Sequence, residues 1–104
     1  MPLGADEVIE CFRKRWNATY DVQLVVRRKS LYFQVMWAYL EQQSFPLNEE
    51  EYRSRLNNIL EIVNRLGQSE IVREWLATTP KRPRIGKAIS LSLKGDGRFK
   101  EFVL

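Results

Sequence analysis

Histidine is absent from this chain, cysteine occurs once, and no apolar run approaches a membrane span. The first absence removes Ser-His-Asp triads, His–carboxylate acid–base pairs and His-ligated metals together. The second removes internal disulfides and the usual zinc spacings, and a single cysteine fits a reducing compartment. The third excludes a spanning helix, which needs about 20 apolar residues, whereas LYFQVMWAYL at 31–40 is half that and is broken by Gln34. The opening residues, MPLGADEVIE, are acidic and hold no apolar signal core, so no secretion peptide is expected. There is no internal repeat and no low-complexity segment. No cofactor is expected.

What is present is an ordinary globular balance in 104 residues, 44% hydrophobic and 29% charged, which suits one domain with its own core. The net charge of +4 is unevenly placed. Between Thr78 and Lys100 seven basic residues face Asp96 alone, a net +6, so the rest of the chain sums to −2. Such local excess favours a docking region over a general affinity for polyanions.

The periodicities predict a helix over 5–16, with Asp6 as its cap and Ile9, Phe12 and Trp16 as its apolar stripe. Alternation over 21–28 and again over 31–39 predicts a hairpin turning at Arg28-Lys29-Ser30, without the favoured Asn-Gly or Asp-Gly pair. A helix over 45–67 opens on Asn48 and Glu51, close to a capping box, with a staple from Leu47 to Tyr52, and stops at Gly67. Another over 69–78 has Ser69 as cap and Ile71, Trp75 and Leu76 as its stripe. KAISLSL is a third strand, KGDGR a turn, and RFKEFVL a last short strand or helical turn. The order α-β-β-α-α-β implies an α+β fold, with an antiparallel or mixed sheet of about three strands and helices on one face.

Among functional candidates, KRPRIGKA fails as a phosphate loop. Gly86-Lys87 is followed by Ala88 instead of Ser or Thr, and the segment holds no other glycine ahead of that pair. The same segment reads as a docking surface in which Lys81, Arg82, Arg84 and Lys87 meet an acidic protein surface or a nucleic-acid backbone, with Pro80 and Pro83 stiffening the connection. Arg27, Arg28 and Lys29 form a second basic cluster, which would join the first if the hairpin tip lay beside it. The aromatic strand has no Lys or Arg between 31 and 40, so it reads as core rather than as a platform for bases. If Tyr32, Met36 and Tyr39 are left bare, they form an apolar interface. Glu49-Glu50-Glu51 complement a helix dipole. A non-catalytic interaction module is the first reading, a nucleic-acid binder the second, and an enzyme without histidine the third.

YDVQL (20–24), FQVMWAYLEQQSFPL (33–47) with Tyr52, and RPRIGKAISLSL (82–93) resemble a small family of cyanobacteria and plastids, the domain-of-unknown-function family 3067. The resemblance covers roughly 16–93. It implies an α+β fold in the cyanobacterial cytoplasm or the plastid stroma, and it implies no activity.

Overall fold

The computed structural model describes residues 1–93. Among them the elements are α1 (Ala5–Trp16), β1 (Tyr20–Arg27), β2 (Ser30–Tyr39), α2 (Glu49–Arg65), α3 (Ser69–Thr78) and β3 (Ile89–Leu93). The order α-β-β-α-α-β and the α+β class are as expected. The sheet is wholly antiparallel in the order β1-β2-β3, so the aromatic strand is central. The KGDGR turn and the RFKEFVL element lie outside the described residues.

The helices cover the face of the sheet that carries Val22, Leu31, Phe33, Val35, Ile89 and Leu93, all buried. Phe33 meets Trp75 of α3 edge to face at 6.3 Å. At one end an aromatic chain ties three elements together: Phe12 stacks on Trp16, Trp16 meets Tyr20 edge-on, and Tyr20 meets Tyr39. Beneath it the Tyr52 hydroxyl donates to the Tyr20 carbonyl at 2.6 Å. Burial first, and then the charges of Asp21 and Glu41, push the Tyr52 phenol well above its ordinary range, so it remains a donor.

The second helix follows its local signals closely. Asn48 accepts from the Glu51 amide while the Glu51 carboxylate accepts from the Asn48 amide, a complete capping box. At the other end Gln68 N–H reaches Val63 O and Gly67 N–H reaches Asn64 O, a Schellman pair that requires the positive φ of Gly67. This helix begins at Glu49, not at 45, because the cap fixes its first turn.

Three expectations about the helices are corrected. Gly4, not Asp6, occupies the N-cap of α1. Asn64 clamps the backbone of Leu3, donating to its carbonyl and accepting from its amide, which sets the cap two residues earlier. Asp6 instead pairs with Arg53. Gln68, not Ser69, precedes α3, and it makes no side-chain capping bond. The buried stripe of α3 runs through Val72 and Leu76, while Ile71 faces outward.

The hairpin closes with Arg27 opposite Ser30, leaving Arg28 and Lys29 as its only turn residues. Both take positive φ, 51° and 67°, as a type I′ turn demands. Side chains with a Cβ resist that region by about 1–2 kcal/mol per residue, so the strand register has overridden local preference here. Replacing the pair by Asn-Gly is expected to stabilise the fold by about 1–2 kcal/mol. Thermal denaturation followed by circular dichroism should show a midpoint roughly 5–10 °C higher, and an unchanged or lower midpoint would contradict the strain.

Candidate functional site

The basic segment leaves α3 held by side chains and backbone of α1. Arg15 donates through its two terminal nitrogens to Leu76 O at 2.7 Å and Thr79 O at 2.8 Å, capping the C-terminal end of α3, and its guanidinium lies 5.2 Å from the Trp16 ring centroid. Farther on, Arg82 donates to Trp16 O at 3.2 Å and to the Tyr20 hydroxyl at 3.3 Å. Pro83 is buried beside it in sequence. The connection is therefore stapled to the first helix at both Thr79 and Arg82.

Beyond the second staple the chain makes a tight turn. Arg84 N–H donates to Lys87 O at 3.0 Å and Lys87 N–H to Arg84 O at 2.7 Å. Ile85 and Gly86 lie between them, and only Gly86 has positive φ, +77°, the signature of a type II turn. A Cβ on Gly86 would meet nothing among the described residues, so there glycine serves the backbone conformation and not room. A concavity lined by Pro80, Lys81, Arg82, Arg84, Lys87 and Ala88 runs along the foot of the turn.

The cations of this segment differ from the four arginines that pair with carboxylates. Arg13, Arg53, Arg55 and Arg73 each face a carboxylate. Among the described residues no ion pair engages Lys81, Arg84 or Lys87, and all three are exposed. Arg82 differs from them: its guanidinium is spent on holding the loop.

The two basic clusters are not brought together. Leu31 pairs with Leu93 at the hairpin end of the sheet, and Val35 pairs with Ile89 at the other. Arg27, Arg28 and Lys29 thus lie about 17 Å or more along the strands from the basic turn. The aromatic trio also separates. Tyr32 is half-buried opposite Val25 and Ser92, beside a shallow concavity with Arg27, Gln34 and Ser90. Met36 lies where the single Asp21 of β1 faces three β2 residues, Met36, Trp37 and Ala38, across a bulge. Tyr39 packs inward on Tyr20 at 6.0 Å.

Two carboxylates, buried Asp21 and exposed Glu41, are engaged structurally. Asp21 lies 3.8 Å from Arg55, and burial raises its pKa against that charge and the Val22 amide. Burial also pushes the Glu41 carboxyl up, but the bonds it accepts from the Thr19 hydroxyl at 2.5 Å and amide at 2.8 Å, with the Arg13 charge, hold it below its ordinary value. Burial raises the Cys11 thiol. Among the described residues no group of three Cys, Asp or Glu side chains is placed to hold a metal ion. No helix among them is long and apolar enough to cross a membrane.

Sequence reasoning missed Ile85, which is 94% exposed at the tip of the basic turn. A signal existed: it is an apolar residue between Arg84 and Gly86 in a segment that belongs to neither alternation nor helical spacing.

No curated protein matches the chain. The solution NMR structure of the Alr2454 protein from Nostoc sp. strain PCC 7120 is similar to it over 98% of each chain, with a TM-score of 0.86 and 35% identity. The model for a domain of unknown function, DUF3067, matches residues 6–103, extending the resemblance into α1 and past β3. The chain belongs to the DUF3067 family.

Proposed function

We propose that this chain is a non-catalytic docking module that binds an acidic protein surface through the 81–87 segment. The observation that supports the reading is that Lys81, Arg84 and Lys87 are exposed on a stapled backbone and take part in no ion pair among the described residues, whereas Arg13, Arg53, Arg55 and Arg73 face carboxylates. Cations held in advance on a fixed turn lose little conformational freedom on binding, and unpaired charge speeds encounter with an opposite surface. The setting that goes with this reading is the cyanobacterial cytoplasm or the plastid stroma, in keeping with the Nostoc relative.

The test changes Lys81, Arg84 and Lys87 together to Glu and leaves Arg82 in place, because Arg82 holds the loop. Parent and variant are used as bait in extract of the source organism, and any retained protein is purified and its affinity measured directly. The expected result is a partner bound by the parent and lost by the variant, at unchanged thermal midpoint. Equal binding by both would sink the reading. So would binding of unrelated nucleic acids whose affinity falls with salt at a log–log slope of about −0.7 to −0.9 per phosphate contacted; that result would favour a nucleic-acid backbone as the target.

A further inference from the structure

We infer that Ile85 is the anchor of this surface, and that the partner presents a small apolar pocket rimmed by carboxylates. The inference rests on the docking reading above and names its contact. A free aliphatic side chain on a surface is common and needs no explanation by itself. Ile85 differs in three ways. It is 94% exposed, so it packs on nothing among the described residues. It stands at the first central position of a turn whose backbone is fixed by two hydrogen bonds and by Gly86 at φ +77°. Its flanking residues, Arg84 and Lys87, are exposed cations without an ion pair among the described residues.

No local rule calls for isoleucine there. The position favours proline or a polar residue, and the turn would form without an apolar side chain. A single β-branched residue loses little rotamer freedom when it is gripped. That economy suits a knob entering a hole, as anchor residues do at the desolvated centre of an interface inside a polar rim. Charge complementarity supplies the rim: there is no acidic residue between Thr78 and Lys94, so the surface around the knob is basic and asks for carboxylates. An anionic lipid surface would also attract the cations. Interfacial insertion, however, draws on a broad apolar face, and within 81–88 the other apolar positions are Pro83, which is buried, and Ala88, which is half-buried.

The test places a photoreactive aliphatic amino acid at position 85 in the full chain, and in a second chain at the exposed Glu61 on α2. Each is irradiated in extract. The protein cross-linked from position 85 is identified, produced, and titrated with the parent, Ile85→Ala, Ile85→Leu and Gly86→Ala at low and high salt. The inference expects a cross-link from 85 and none from 61, onto a peptide with apolar residues beside Asp or Glu. Ile85→Ala should weaken binding about 10- to 30-fold by the same factor at both salt concentrations, since packing is not screened. Ile85→Leu should restore most of it. Gly86→Ala, which strains the turn and leaves every cation in place, should weaken it similarly. Charge changes at Arg84 or Lys87 should act mainly at low salt. The thermal midpoint of Ile85→Ala should equal that of the parent.

Full affinity in Ile85→Ala, with binding abolished by the triple Glu variant, would overturn the anchor and leave the docking reading standing. Full affinity in both would overturn both, as would the absence of any cross-linked protein. Binding to vesicles of phosphatidylcholine and phosphatidylglycerol that is lost in Ile85→Ala, with no protein cross-linked, would replace the protein partner by a lipid surface.

Discussion

Phe12→Ala is expected to remove about 3–5 kcal/mol of stability, lowering the thermal midpoint by roughly 15–30 °C. Phe12 is fully buried in α1. Its ring stacks on Trp16 at 5.8 Å and meets Tyr20 edge-on at 6.2 Å, so truncation leaves a void at the head of an aromatic chain that reaches β2. Each such ring pair contributes about 0.5–1.5 kcal/mol beyond the area it buries. A domain of this size holds only about 5–15 kcal/mol in total, which puts the variant close to the point of unfolding at physiological temperature. Urea or thermal denaturation followed by circular dichroism measures this directly. Phe12→Leu, which keeps most of the volume, should fall between the two. A loss under about 1 kcal/mol in the alanine variant would mean that the site collapses around the missing ring, contrary to the packing described.

Arg15→Ala is expected to destabilise by about 2–3 kcal/mol, a midpoint drop of roughly 10–20 °C. The two bonds at 2.7 and 2.8 Å come from a charged donor to carbonyls at the C-terminal end of α3, where positive charge is also favoured by the helix dipole. The upper end of the usual range for charged hydrogen bonds is not expected, because the rest of the side chain is exposed to water. Arg15→Lys is the discriminating variant. An ammonium is a point donor and cannot span two carbonyls as the planar fork does, so lysine should recover less than half of the loss. Full recovery by lysine would show that charge alone holds the end of α3. Hydrogen exchange should show faster exchange at Thr79 in both variants, since its amide bonds to Trp75 O in that last turn.

These residues also show which parts of the molecule could be read in advance. The caps of α2 were legible because Asn48, Glu51 and Gly67 act within a few positions of themselves, and each does in the fold what its chemistry prescribes. The apolarity of both faces of β2 fitted either a central strand or one with a second covered face, and the pairing with β1 and β3 decides for the first. Asp6 misled because the start of α1 is set by Asn64, far along the chain. Arg28 and Lys29 take a conformation that their own preferences oppose, imposed by the register of Arg27 with Ser30. At the candidate site the cluster of cations was visible as composition, but the division of labour within it was not. Arg82 turns inward because Trp16 O and the Tyr20 hydroxyl await it. Ile85 is displayed because a two-residue turn leaves it nowhere to pack. Neither fact has a periodicity that could announce it.

The two staples of the basic segment have a temporal meaning. Arg15 reaches its carbonyls across 61 and 64 residues of chain, and Arg82 reaches Trp16 O across 66. Contacts of such span belong to the later part of folding, once the cost of closing long loops has been met. A growing polypeptide still lacking its eighties has neither the turn nor anything to fasten it, and one that has lost α1 keeps the cations on an unfastened strand. Presentation of Ile85 in its fixed pose therefore marks a chain whose first helix is in place and whose basic turn is complete. A partner that recognised that pose would be selecting for finished molecules.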